Sequence, residues 1–329
     1  MYPRIKNLLT KTLIPVLVSL VSSSVLFLTG CTQSENKELK VGTNIWIGYE
    51  PGYIAELEGL YQSTPVNMRQ FTSATEVMRA FRNRLIDVAA LTLDEALQLA
   101  QHDDDVAVIL VADISDGADV IMARPEIKTV SGLAGKRVAA EGSAVGAFII
   151  ARAFEQHQVD PKSVDVVSVT VDEAVAAYDN NQIDAVVTFE PFRTKLLNAG
   201  AVEIFSSKQI PNEIVDVLVA RKSAIEEDAA SLRDFVAGWI AAVELIKTSP
   251  EKVNPIIARR LEITIEEAEL AYDSLKLPDL ATNQSLLTGQ DPTLTLVAGT
   301  LNRLLLEQGL IEKSVSVDDL FSGVLVKGL

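Results

Sequence analysis

Ser73-Ala74-Thr75-Glu76-Val77-Met78-Arg79-Ala80-Phe81-Arg82-Asn83-Arg84-Leu85-Ile86-Asp87 decides the fold, because the chain writes this pattern twice. Ninety-seven positions later stands Thr170-Val171-Asp172-Glu173-Ala174-Val175-Ala176-Ala177-Tyr178-Asp179-Asn180-Asn181-Gln182-Ile183-Asp184. Under that one offset Ser73 falls on Thr170, Glu76 on Glu173, Ala80 on Ala177, Phe81 on Tyr178, Asn83 on Asn180, Ile86 on Ile183 and Asp87 on Asp184. Ser73-x-x-Glu76 and Thr170-x-x-Glu173 both have capping-box form, in which hydroxyl and carboxylate satisfy amide donors at a helix start. Each helix then runs into an Asn-bearing turn, Ile-Asp and an apolar strand. Val41, falling on Val138, extends the echo to a preceding strand. A repeated strand–helix unit of this length predicts two similar lobes.

Outward from these segments, short apolar runs alternate with helical patterns. Strands are predicted at Lys40–Ile45, Val66–Phe71, Asp87–Leu91 and Val106–Ala112, with helices over Gly52–Tyr61, Glu76–Arg84 and Leu93–Ala100. The pattern restarts with a strand at Arg137–Ala140, a helix at Val145–His157, a strand at Val164–Val169, a helix at Asp172–Asn180 and a strand at Asp184–Phe189. Such alternation implies α/β architecture with parallel sheets covered on both faces. After a strand at Ile214–Ala220, helices dominate. Asp228–Lys247 carries Leu232, Phe235, Val236, Trp239, Ile240, Val243 and Ile246 on one stripe, the period of an amphipathic helix. Thr264-x-x-Glu267 opens another capped helix, and Pro292–Gln308 a third, with Gly309 just past its end. The economical arrangement places residues 39–118 and 215–329 in lobe one, with the C-terminal helices, and residues 119–214 in lobe two. Crossings near Asp116-Gly117 and Pro211 would act as hinges.

The amino terminus reads as an address. Arg4, Lys6 and Lys11 precede an apolar stretch, Leu13–Leu28, of signal-peptide length. It ends in Leu28-Thr29-Gly30-Cys31, which resembles the bacterial lipobox, cut before a Cys that carries lipid. Residues 1–30 are expected to be a signal peptide, Cys31 the lipidation site, and residues 31–38 a polar tether. The mature protein is then extracytoplasmic and touches the membrane only through its anchor.

The 329 residues carry a net charge of −16, and the leader is basic, so the remainder is more acidic still. That balance disfavours a nucleic-acid partner. Cys31 is the single cysteine and His102 and His157 are the only histidines. No disulfide can form within the chain and no cysteine-based metal site exists. His102, in an acidic loop, and His157, at a helix end, read as structural. No nucleophile–base pair stands out, so neither an enzyme nor a cofactor is expected.

Three stretches bring a family into view. Asn44-Ile45-Trp46-Ile47-Gly48-Tyr49-Glu50-Pro51-Gly52-Tyr53 with Ala55-Glu56-Leu57-Glu58-Gly59-Leu60-Tyr61, then Val130-Ser131-Gly132-Leu133-Ala134-Gly135-Lys136-Arg137-Val138, then Asp184-Ala185-Val186-Val187-Thr188-Phe189-Glu190-Pro191-Phe192. Together they resemble the substrate-binding proteins of ABC importers for sulfonates, taurine, nitrate and thiamine-precursor pyrimidines. The resemblance implies a two-lobed periplasmic-binding-protein fold of type II, a small-molecule solute, a membrane permease as partner and a monomer. Related fungal pyrimidine synthases use a cysteine-rich iron site and an active-site histidine. This chain lacks that inventory, which speaks for binding without chemistry. The alternative is a sensory protein that presents its ligand to a receptor kinase or cyclase.

In α/β lobes ligands lie beyond the carboxyl ends of strands, beside helix N-termini. That geometry selects Trp46 and Tyr49 after strand one, Thr72 and Ser73 after strand two, and Thr92 after strand three. In lobe two it selects Ser143, within a Gly-rich turn, and Glu190. Trp46 offers a π-face for stacking or a cation. Ser73 and Thr92 can donate to a ligand or be spent on capping. Glu190 can meet an amine or serve its own helix start, where the dipole favours a carboxylate. Asp216, on the return strand, can reach the cleft. Asp113 and Asp116 read as hinge-loop residues.

Overall fold

The computed structural model describes residues 37–141 and 144–329. The predicted leader, the lipidation site Cys31 and the predicted ligand residue Ser143 lie outside the described residues. From Glu38 onward the chain forms one compact unit, built on two sheets.

The first sheet contains β1 (Leu39–Thr43), β2 (Val66–Gln70), β3 (Val88–Thr92), β4 (Val106–Ser115), β10 (Val215–Arg221) and the two-residue β11 (Leu275–Lys276), in the order β11-β4-β10-β3-β1-β2. The second contains β5 (Val120–Ala123), β6 (Arg137–Ala140), β7 (Asp165–Ser168), β8 (Ala185–Thr188) and β9 (Val202–Ser206), in the order β7-β6-β8-β5-β9. Between strands run α1 (Glu50–Leu57), α2 (Ala74–Arg82), α3 (Leu93–Ala100), α4 (Ala144–His157), α5 (Val171–Asp179) and α6 (Phe192–Asn198). The chain finishes with α7 (Lys222–Thr248), α8 (Pro250–Leu261), α9 (Ile265–Tyr272), α10 (Leu280–Leu287) and α11 (Thr293–Glu307). Among the described residues, no helix is long and apolar enough to cross a membrane.

The sheets contain the expected parallel pairs and are mixed, with antiparallel strands beside them. β1 pairs in parallel with β2 and β3, and β6 with β7 and β8. β10 is antiparallel to β3 and β4, and β5 to β8 and β9. The cause is the exchange of chain between the sheets. β4 leads directly into β5 of the other sheet, and β9 leads directly back into β10. A strand arriving this way has no helical crossover behind it, which a parallel neighbour in sequence would demand.

The duplication holds to the residue. Val41 pairs with Val88, and 97 positions on Val138 pairs with Ala185. Asp87 accepts the Lys40 amide at 2.9 Å and Asp184 accepts the Arg137 amide at the same distance. Asn83 and Asn180 cap the two helices, and Arg84 and Asn181 follow with φ of 56° and 57°. The exchanged strands obey the same offset. Arg221 lies over the Phe81 ring at 4.1 Å and donates to the Phe81 carbonyl, while Arg124 lies over the Tyr178 ring at 4.0 Å and donates to the Tyr178 carbonyl. The equivalence slips at the flanking strands, where Lys40 meets Asn67 but Arg137 meets Asp165, and Ala220 meets Ala107 but Ala123 meets Val202.

The C-terminal helices pack on the first sheet's side. α7 lies against α1, β4 and β10, α10 against β4, and α11 against α3. In α7 the predicted stripe is buried at Leu232, Phe235, Val236, Trp239, Val243 and Ile246, and partly so at Ile240. The helix starts at Lys222, earlier than expected, with a break at Asp228 (φ −145°, ψ 57°). Asp228 accepts the Ser231 amide at 3.1 Å, so it caps the segment that the sequence pattern marks.

Between the sheets, the two crossings are tied together. Ser207 Oγ lies 2.8 Å from Ser115 Oγ and accepts the Gly117 amide at 2.7 Å, while the Ser207 amide donates to the Asp119 carbonyl at 2.9 Å. Gly117 holds φ of +114°, a region open to glycine. Asp116 sits at this crossing, paired with Lys276 at 3.3 Å. Asp113 does not. β4 extends three residues beyond the predicted end, so Asp113 is a fully buried strand residue and not part of a hinge loop.

Candidate functional site

The rims of the two sheets meet where β1, β3 and β10 face the ends of β6 and β8. Trp46 leaves β1 in extended conformation, and Ile47–Tyr49 turn tightly behind it. Trp46 Nε1 donates to Asp113 Oδ2 at 2.9 Å. Gly48 makes this approach feasible: a Cβ there would stand 1.8 Å from Asp113 Oδ2 and 2.4 Å from Trp46 Nε1. Across the rim the indole meets Phe189 edge-on, with centroids 5.3 Å apart and planes at 89°, a favoured aromatic geometry. A second tie is the Ala74 amide, which donates to Glu141 Oε1 at 3.1 Å. Tyr49 donates its hydroxyl to Asp216 Oδ1.

These side chains enclose a recess of about 30 Å³, lined by Asn44, Trp46, Tyr49, Thr92, Glu95, Asp119, Glu141, Phe189 and Asp216, with Ala74 and Val145. Asn44, Glu141 and Phe189 also border an outer chamber of about 330 Å³. Ile45, Gln70, Thr72, Val171, Pro191, Phe192, Lys195 and the α8 terminus, Arg260–Glu262, complete that chamber. Arg260 is held by Glu50 at 2.9 Å and lies 3.5 Å over the Tyr53 ring. The combined space suits a small organic molecule.

Acid chemistry dominates the recess. Burial pushes Asp119 up to about 7. Burial, and then the neighbouring Asp94 and Glu141 charges, push Glu95 up to about 8. Asp113 rises to about 7 through burial, against the Trp46 hydrogen bond. Asp94 rises to about 6 for the same reason. Asp216 is held well above the usual carboxylate range by burial and then by Asp113. Tyr49 is raised by burial and by the charge of Asp216. Close carboxylates in a low dielectric resist joint ionisation.

Of the predicted ligand residues, Trp46, Tyr49, Thr92 and Asp216 line the recess and Thr72 lines the chamber. Thr72 donates to Glu76 at 2.7 Å. Thr92 precedes α3, and its amide donates to Glu95 Oε2 at 3.0 Å. Ser73 borders neither space; its hydroxyl accepts the Glu76 amide and caps α2. Glu190 is buried but also borders neither space. Its carboxylate accepts from the Thr194 amide at 3.2 Å, the Thr194 hydroxyl at 3.1 Å and Arg193 at 3.2 Å, serving the first turn of α6.

Sequence reasoning missed Asn44, Glu95, Asp119, Glu141 and Phe189. A signal for four of them was present in the offset of the repeat. Asn44 falls on Glu141, Thr92 on Phe189 and Asp119 on Asp216, and all six line the recess. Glu95 was visible only as a capping residue. Among the described residues, no group of three or more His, Cys, Asp and Glu side chains is arranged to hold a metal ion. His102 is exposed, and His157 Nε2 lies 3.4 Å from Gln209 Oε1 at the surface.

Comparison with known proteins gives this geometry a family. The taurine-binding periplasmic protein of Escherichia coli (strain K12) is 22% identical over 276 residues, covering 80% of this chain and 84% of that protein. The alkanesulfonate-binding protein SsuA from Xanthomonas axonopodis pv. citri, bound to MOPS, superposes with a TM-score of 0.72 at 14% identity, over 85% of this chain and 96% of that one. The desulfurization enzyme DSZB shares the fold, with a TM-score of 0.65 at 11% identity over 88% and 97% of the two chains, so the architecture alone does not separate a binder from a catalyst. The two-sheet α/β fold is that of periplasmic binding proteins. The NMT1-like family model matches residues 32–261, and the chain belongs to that family.

Proposed function

We propose that this protein captures a small organic solute outside the cytoplasm and delivers it to an ABC-type permease, without altering it chemically. One observation carries the reading: the two sheets meet rim to rim over a chamber and recess whose walls come from both. Trp46 of one side touches Phe189 of the other, so a solute between them would be gripped by both. The names of the taurine-binding and alkanesulfonate-binding relatives support a solute of this size.

In this reading residues 39–118 with 215–329 and residues 119–214 form two lobes that close on the solute. The paired crossings at Ser115–Asp119 and Ser206–Val215 are the hinge. Closure excludes water and strengthens each polar contact within. Cys31 carries the lipid that keeps the protein at the membrane surface, on the periplasmic side in a Gram-negative cell, and the protein acts as a monomer. The recess offers no thiol, since the single cysteine is Cys31, and no histidine lines it. A thiol nucleophile and an imidazole base are therefore not supplied there.

A thermal-shift screen of amines, amino acids, pyrimidines, nitrate and sulfonates tests the reading. A true solute raises the melting temperature by mass action. Trp46→Ala is expected to weaken that solute at least tenfold while the protein stays folded. Normal binding by Trp46→Ala would place the solute elsewhere, and no stabilising compound at all would contradict solute capture.

A further inference from the structure

The relatives' names give sulfonates, of which taurine also carries a primary ammonium, and the recess suits the positive group. Its lining residues include Glu95, Asp119, Glu141 and Asp216, and no lysine, arginine or histidine. Asp113 stands directly behind Trp46, and Asp94 adjoins Glu95 on α3. Two oxygens in this group are conspicuous. Glu95 is 1% exposed and Asp119 4% exposed, and Glu95 Oε1 and Asp119 Oδ2 have no hydrogen-bond partner among the described residues. Buried carboxylate oxygens are ordinarily paired, because leaving them unpaired is costly. Both residues line the recess, and a donor seated between them would pair these oxygens.

The walls supply the rest of a cation site. Trp46, Tyr49 and Phe189 surround the same space, and aromatic faces attract a positive charge. About 30 Å³ holds one small group, of the order of one or two waters. A primary ammonium is such a group, and its three N–H donors suit a wall that carries several carboxylates. Among the described residues no carboxylate group is arranged as a metal-ion site, which favours an organic cation.

We infer that the recess takes the primary ammonium head of an organic solute, with Glu95, Asp119 and Asp216 accepting hydrogen bonds from its N–H groups and the solute's body lying in the outer chamber against Phe189 and Phe192. This inference rests on the solute-capture reading and names its substrate class. The acids that face the ammonium are Glu95 from α3, Asp119 before β5, Asp216 from β10 and Glu141 after β6. Tyr49, and Asp113 and Asp94 behind, complete the titratable surroundings. Glu95 and Asp119, raised by burial to about 8 and about 7, hold protons when no cation is present, and the positive charge of a bound ammonium favours loss of a proton from the cluster. Binding therefore releases protons, and affinity rises with pH between about 6 and 8. An oxyanion held by the protonated carboxyls would do the reverse.

The test is calorimetric titration of the full chain, kept in detergent, with benzylammonium and phenylmethanesulfonate, which share a carbon skeleton. Expected is millimolar or tighter binding of benzylammonium, at least tenfold weaker binding of the sulfonate, and proton release measured by comparing buffers of different ionisation enthalpy. Glu95→Gln keeps the acceptor its capping box needs, and Asp119→Asn keeps the shape of the site. Each is expected to weaken benzylammonium at least tenfold, and either serves alone should the other fail to fold. Equal affinity in both variants, stronger binding of the sulfonate, or proton uptake would overturn the ammonium assignment. If the solute screen still yields a stabilising compound, capture survives and only the substrate class falls. If neither probe binds and no compound in the screen stabilises the protein, both fail.

Discussion

At the scale of single residues, the site is a compromise between burial and charge. Asp216 is 3% exposed and keeps one good partner, the Tyr49 hydroxyl. Burial, and then the charge of Asp113, hold its carboxyl well above the usual carboxylate range. Asparagine preserves an acceptor for Tyr49 and removes one acid from the cluster. Asp216→Asn is therefore expected to raise the melting temperature at pH 8.5 by about 2–4 °C, the effect of roughly 1 kcal/mol in a chain of this size, and to change it little at pH 5.5. A scanning-calorimetry pair at the two pH values checks this, and an equal shift at both would contradict the electrostatic cause. Trp46 was selected in the sequence because it follows a strand and Asp216 because it lies on the return strand, and both border the recess. Asp113 was misread because its strand continues past the last clearly apolar run, and a polar residue inside a buried strand looks like the start of a loop. Glu190 was ambiguous for a physical reason: a carboxylate at a helix start serves the helix as well as it serves a ligand.

At the scale of elements, the capping boxes carried most of the legible information. α2 and α5 occupy equivalent positions 97 residues apart, and their starts were visible as Ser73-x-x-Glu76 and Thr170-x-x-Glu173. The Thr170 amide donates to Glu173 Oε2 at 3.1 Å. Thr170→Ala is expected to cost about 1 kcal/mol of stability, read as a lower midpoint in urea with an unchanged slope, and to leave solute affinity within about twofold. The long stripe of α7 was legible too, down to the Asp228 break. α6, with seven residues, and the short β5 and β9 were not, because a few residues show no period. The antiparallel return of β5 and β10 was illegible because pairing partners depend on the exchange between sheets, not on local pattern.

At the scale of the whole molecule, buried acids set a pH signature. Asp94, Glu95, Asp113 and Asp119 are raised to between about 6 and about 8 from 3.8 or 4.5. The folded chain thus holds protons that the unfolded chain gives up, and the stability they contribute is present below the unfolded values and lost as pH rises through 6–8. Asp105, Asp234 and Asp279 are lowered by hydrogen bonds to hydroxyls and amides, and their contribution is lost as pH falls below about 4. The solute-free protein is expected to melt about 3 °C or more higher at pH 5.5 than at pH 8.5, and a flat profile would contradict the acid cluster. The recess itself was only half legible: the strand ends named the rim, but its acids became a group only once two sheets faced each other. The central claim is that a solute lies between those sheets, against Trp46. Trp46 and Trp239 are the only tryptophans, and Trp239 is fully buried in α7. Fluorine NMR of the 5-fluorotryptophan-labelled protein, titrated with the compound that most raises its melting temperature, reads both at once. The account predicts a saturable shift of the Trp46 resonance with Trp239 unmoved; saturation of binding with Trp46 unmoved would contradict it.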